Sequence, residues 1–243
     1  MPGYIRFLSL TPIFFIWFGL ASIAHADKTG LPNGRPEPMV FDLVDPLGAK
    51  KGETEINMFL DYSNSADQLK WSPEIEYSFM DGHAIELELP VENTNLSQYK
   101  VSLQGTWGEL FQGRMIHGWQ AIGRRKNDEE EYGADLLYLN DYKFSDKWSM
   151  MNMFGFRRTA FNENGEFIGL SNNSLFYMYS KGFSLGIELN SEINERSYRY
   201  RLTPQIQYAF SKNSVIQFGG GPSQLNEEKR TEWLVTSRLI YDF

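Results

Sequence analysis

The chain has 243 residues, no cysteine, a formal net charge of −8 and an aromatic content of 15%. Lack of cysteine excludes disulfides, thiolate metal sites and a lipidated N-terminal Cys, and the acidic balance offers no basic footprint for nucleic acid. His25, His83 and His117 are scattered and make a poor metal set; with no phosphate loop or nucleotide motif either, no cofactor, metal or catalytic residue is assigned.

Arg6 is a minimal positive region ahead of a mostly apolar run from Phe7 to Ile23, and Ala24-His25-Ala26 is an A-x-A cleavage site. The run approaches the ~18–20 apolar residues of a spanning helix, but Pro12, Gly19 and the small-residue site favour removal. Residues 1–26 are therefore expected to be a cleaved signal peptide. No second apolar run of spanning length follows. A chain that spans a membrane without such a helix must close into a barrel, because only closure satisfies every backbone group in lipid.

Residues 27–52 carry Pro32, Pro36, Pro38 and Pro46 with Gly30, Gly34 and Gly48. Proline at this density reads as extended or turn-rich chain, not as a strand of a closed sheet. Met39-Val40-Phe41-Asp42-Leu43-Val44 is apolar enough to pack on something. Two readings stay open: a periplasmic segment, or one that tucks into the barrel mouth.

From Glu53 alternation runs to the end, so residues 53–243 are expected to form the barrel. Successive strand side chains point to opposite faces. The pattern predicts strands at Glu53–Tyr62, Gln68–Met80, His83–Val91, Ser97–Gly108, Arg114–Arg124, Glu131–Lys143, Lys147–Arg158, Phe167–Tyr179, Phe183–Ile193, Ser197–Phe210, Asn213–Gly221 and Arg230–Phe243. Arg114–Arg124 has no clean apolar parity and enters to make the count even, as bacterial single-chain barrels require. Many of these strands exceed the ~5–6 residues of soluble proteins and match the ~9–11 of a tilted spanning strand. Tight turns at Asp81-Gly82, Ser145-Asp146, Ser180-Lys181-Gly182 and Ser211-Lys212-Asn213 alternate with longer polar loops at Ser63–Asp67, Thr159–Glu166 and Pro222–Lys229. That asymmetry is expected of short periplasmic turns and external loops.

Alternation alone also fits a soluble sandwich. Aromatics near strand ends argue for membrane girdles instead: Tyr62, Trp71, Phe79, Tyr99, Trp107, Trp148, Phe183, Tyr198, Phe210, Trp233 and Phe243. The opposite face is charged in mid-strand, where a charge facing lipid would cost up to ~2–4 kcal/mol. The expected lumen-lining residues are Glu55, Glu74, Glu76, Glu86, Glu88, Lys100, Gln104, Arg157, Glu188, Glu192, Arg199, Arg201 and Arg238. Tyr77, Leu87, Val101, Leu185, Leu202 and Leu239 are expected to face outward.

The final stretch, T-E-W-L-V-T-S-R-L-I-Y-D-F, sets Trp233, Val235, Leu239, Tyr241 and Phe243 on one parity. It resembles the C-terminal sorting signal of Gram-negative outer-membrane β-barrels, with Tyr241 and Phe243 as its aromatics. The fold class expected is all-β: a closed antiparallel transmembrane β-barrel of about 12 strands in the outer membrane. The resemblance implies outer-membrane lipid as surroundings and the barrel-assembly machinery as a partner of the C-terminal strand. Pro36-Glu37-Pro38-Met39, Ala84-Ile85-Glu86-Leu87-Glu88-Leu89-Pro90 and Ile116-His117-Gly118-Trp119-Gln120 also resemble stretches of a group related to the transporter family named for the meta-cleavage pathway of phenol degradation. That family brings no catalytic residues.

The function expected is a narrow pore or transporter for small solutes. Twelve strands lie between the eight whose side chains fill the interior and the sixteen to eighteen that leave an aqueous channel. Alternatives are a structural barrel with a closed lumen, and a lipid-acting hydrolase using His117 with Ser171 or Ser174, which would need the base within hydrogen-bond reach. Two registers are predicted. Parity at the Asp81-Gly82-His83 turn pairs Met80 with Ala84 and Glu76 with Glu88, an acidic pair to be relieved by Lys100 or another cation. Parity across 194–197 pairs Ile193 with Tyr198 and Glu192 with Arg199, with Arg201 diagonal to Glu188 and Glu192.

Overall fold

The computed structural model describes residues 35–40, 47–128, 131–226 and 230–243. The expected signal peptide lies outside the described residues, as do 27–34 and 41–46. Fourteen strands follow in order: β1 (Thr54–Ser63), β2 (Gln68–Met80), β3 (His83–Glu88), β4 (Val91–Glu92), β5 (Asn95–Leu96), β6 (Gln98–Leu110), β7 (Met115–Lys126), β8 (Tyr132–Lys143), β9 (Trp148–Arg158), β10 (Phe167–Ser180), β11 (Phe183–Ile193), β12 (Tyr198–Ser211), β13 (Ser214–Ser223) and β14 (Glu232–Asp242). Twelve of them close a ring of antiparallel pairs. Around this ring each strand pairs with the next, β6 following β3, and β1 pairs with both β2 and β14. β4 and β5 are a two-residue hairpin against the outer end of β2.

The outward parity is apolar and exposed: Ile75, Tyr77, Leu87, Val101, Leu185, Ile187 and Leu239 are each 41–50% accessible. Leu202 is half-buried. The opposite parity is buried and polar, including Glu76, Glu88, Gln104, Glu188 and Arg201. Trp107, Trp148, Tyr198, Phe210, Trp233 and Phe243 stand exposed near the strand ends. A face this apolar, closed on itself with no second sheet among the described residues to cover it, requires a non-aqueous surrounding.

Four features differ from the expectation. The third strand ends at Glu88, three residues early, because Pro90 has no N–H for the ladder and the chain turns there into the β4–β5 hairpin. The β2–β3 turn keeps the predicted parity but not the register: Ser78 pairs with Ala84, Glu76 with Glu86 and Glu74 with Glu88, and the ladder shifts between Ser78 and Met80. Gly82, at φ +69°, supplies the left-handed residue of that turn. The turn itself pairs Met80 with His83, an odd sum, and the one-residue bulge between Ser78 and Met80 restores the even parity, so each side chain keeps its expected face while the ladder lies two positions from the expected register. Third, Arg201 is diagonal to Glu188 and Glu192 as expected, but its guanidinium pairs with Asp61 instead of building a network with them. It reaches to β1.

Finally, the inner face is not polar all round. Ile116, Ile122, Leu137, Leu139, Met151, Met153, Ile168, Leu170 and Phe176 point inward from β7 to β10 and pack with Leu47 into an apolar cluster. That explains the weak parity of the fifth predicted strand: it is apolar outside and inside.

Candidate functional site

The lumen is the candidate site, and its polar wall is ion-paired. Glu88 faces Lys100 across the β3–β6 ladder, and their charged atoms lie 2.7 Å apart; the expected Glu76–Glu88 pair does not form, and Lys100 offsets one carboxylate of the observed Glu74–Glu88 pair. Arg238 lies 3.5 Å from Glu74 and 3.9 Å from Glu55. Asn57 donates to Glu55 at 3.1 Å and to Glu76 at 3.4 Å. Arg201 binds both oxygens of Asp61 at 2.6 and 3.1 Å, and Thr236 Oγ1 bridges to the same carboxylate at 2.6 Å.

Near the loop end the charges alternate across the wall. Arg124 on β7 lies 2.7 Å from Asp135 on β8. Arg157 on β9 lies 3.0 Å from Asp135 and 2.8 Å from Glu192 on β11, which is 2.5 Å from Arg199 on β12. Glu192 and Arg199 are ladder partners, Ile193 faces Tyr198, and Asn190 faces Arg201, as parity predicts. Two of these partners, Arg124 and Asp135, escaped the sequence reading; on the inward face of β8, Asp135 is followed by the apolar Leu137 and Leu139. The Glu192–Arg199 pair is partly hydrated at 15% and 18% side-chain exposure. A double-mutant cycle on it, read by denaturant unfolding, should give a coupling of about 1 kcal/mol or less; several kcal/mol would show that the rim is dry.

Residues 35–40 occupy the lumen. Arg35 pairs with Asp141 at 2.9 Å. The Glu37 amide donates to Gln207 at 3.3 Å, and its carbonyl accepts from Gln207 and Gln217. The amides of Met39 and Val40 donate to Glu188 at 2.8 and 3.2 Å, and Arg238 donates to the Pro38 carbonyl at 3.2 Å. The positions of these partners along their strands take the segment from the tight-turn end up to mid-height. Residues 47–52 lie at the tight-turn end: Gly48 donates to Thr106 at 2.9 Å, and Gly82 donates to the Ala49 carbonyl at 2.7 Å. A Cβ on Gly118 would sit 2.2 Å from the Gly105 carbonyl and 2.8 Å from Leu47 Cδ2, so both the wall and the entering chain need glycine there.

Cavities of about 240, 220 and 80 Å³ open above this segment, and Val40 lines all three. Lys100, Arg201, Arg238, Glu74 and Glu88 line the first. Arg157 and Glu192 line the smallest, beside Ile122, Leu137, Met153 and Leu170. Oxygens of Glu74, Glu76 and Glu86 come within 4.8 Å of one another, with Arg238 beside Glu74.

The structure does not bring His117 to a serine. His117 stands on the outer face with its ring centroid 5.5 Å from that of Trp107 and 6.1 Å from that of Tyr138. Ladder partners lead from His117 through Asn140 and Asn152 to Asn173, so β10 lies three strands away, ~14 Å at ~4.8 Å per strand. Ser174 is fully buried on the opposite face.

Three solved structures share the architecture. A NanC porin superposes with a TM-score of 0.62 at 8% identity, over 76% of this chain and 98% of the porin. An outer-membrane channel from Pseudomonas putida F1 gives 0.62 at 14% identity, over 83% of this chain and 100% of the channel. A KdgM porin in complex with disordered oligogalacturonate gives 0.58 at 14%, over 78% and 99%. These likenesses show the fold: a closed antiparallel barrel of twelve strands, as outer-membrane porins have. A protein-family model described as HAEPLYID-like matches residues 34–106. Among curated proteins none matches the chain.

Proposed function

We propose that the chain is an outer-membrane channel of a Gram-negative bacterium that passes small solutes through a narrow lumen. The observation carrying this is the lumen itself: buried, ion-paired polar side chains line its wall and border cavities of about 240 and 220 Å³ that lead inward from the loop end. An interior built only for stability gains little from buried ion pairs, which apolar side chains of similar volume replace at no loss. The porin and channel neighbours support the same reading. Tyr241 on β14 and Phe243 just past its end are exposed, with ring centroids 4.9 Å apart, and fit recognition by the barrel-assembly machinery. Membership of the phenol-degradation transporter family belongs to this proposal too; two of the three stretches behind it fall within residues 34–106.

A release assay on liposomes carrying the folded protein tests the channel. Monosaccharides and amino acids should escape while long oligosaccharides stay, and retention of every solute contradicts the reading. The second reading, a closed structural barrel, is favoured by one observation, the filling of the lumen at mid-height by residues 36–39, and the same assay decides it.

The proposal predicts charge selectivity. Among the described residues, six carboxylates on the inner face of β1 to β3 (Glu55, Asp61, Glu74, Glu76, Glu86 and Glu88) meet three buried cations, Lys100, Arg201 and Arg238. A wall of one sign favours counter-ions. Under a potassium chloride gradient the reversal potential should have the sign of cation preference, and Glu76→Gln with Glu86→Gln should reduce it; anion preference would contradict the assignment of this wall.

A further inference from the structure

Residues 36–39 are buried, and they are held by their main-chain atoms. Glu188 accepts the amides of Met39 and Val40, Gln207 and Gln217 donate to the Glu37 carbonyl, and Arg238 donates to that of Pro38. The four holders stand on four consecutive strands, β11 to β14. Proline at 36 and 38 removes two donors that a dry lumen would have to satisfy. The remaining amides of 37–40 belong to Glu37, Met39 and Val40, and each has a partner. The prolines also restrict the undocked chain, so docking loses less conformational entropy. Most of this attachment is polar, and water can replace each bond once the lumen is wet, which makes the net strength modest.

We infer that residues 35–40 are an autoinhibitory plug latched by Glu188, and that the lumen conducts when the plug leaves it. This rests on the channel reading above. Glu188 is the latch because one carboxylate takes both amides, and Asn190 and Gln205 fix its two oxygens at 2.9 and 3.1 Å. It is a positioning residue; its part is to hold the segment under the cavities that end on Val40.

The chain has no cysteine, so Met39→Cys in the full-length protein reports docking through its reaction with a charged thiol reagent. Cys-labelling should be slow and channel openings brief while Glu188 is intact. Glu188→Ala should raise both the labelling rate and the open probability at least about tenfold, since two charge-assisted hydrogen bonds are lost. Glu188→Gln, which retains one acceptor oxygen, should fall between. Should Glu188→Ala not fold, Gln207→Ala with Gln217→Ala removes the donors to Glu37 and is read the same way. Unchanged labelling in a conducting, folded variant overturns the latch alone. Fast labelling in a variant whose bilayer stays silent overturns the plug as a gate together with the channel reading.

Discussion

Asp61→Ala is expected to cost the barrel about 3–5 kcal/mol, because it leaves a buried guanidinium without its carboxylate. Arg201 and Asp61 have side-chain exposures of 6% and 8% and meet at 2.6 Å across 140 residues of sequence. Thr203 and Thr236 would remain as hydrogen-bond partners, and neither neutralises the charge. Asp61→Leu with Arg201→Met should recover most of the loss, since an apolar pair of similar volume carries no desolvation penalty. Urea unfolding of the barrel in lipid vesicles measures both. A single variant as stable as the native chain would show that water reaches this pair.

The second large effect concerns the outer face. Ile187 lies at the middle of β11 and Ile193 at its end, on the same face and 44% and 49% exposed. If lipid surrounds the barrel, Ile187→Arg costs roughly 2–4 kcal/mol and Ile193→Arg about 0–1, because the cost of a charge falls from the midplane to the interface. In water both substitutions would be nearly neutral. Equal, small costs in the same vesicle assay would contradict the membrane setting.

The strands were legible because their signal is local and of period two. A side chain's face follows from the parity of its number, so Glu76, Glu88, Glu188 and Arg201 fell on the inner side whatever the turn did. Registers were less secure. Parity is blind to a shift of two, and a tighter turn pairing Met80 with His83, followed by the one-residue bulge between Ser78 and Met80, made that shift. The apolar inner sector was missed because apolar residues had been assigned to lipid; in β8, Leu136 points out and Leu137 in, and composition does not distinguish them. Arg201 was matched to Glu188 and Glu192 because hairpin logic sees only adjacent strands, whereas Asp61 arrives by barrel closure. In the proline-rich segment, density of proline excluded a strand. Which groups would satisfy its few amides depended on four strands more than 140 residues further on.

The most direct test of the channel account is single-channel recording of the purified full-length chain in a planar bilayer, beside Glu188→Ala. The account predicts discrete cation-selective steps, brief in the native protein and long-lived in the variant. A bilayer that stays silent with both folded proteins would contradict it.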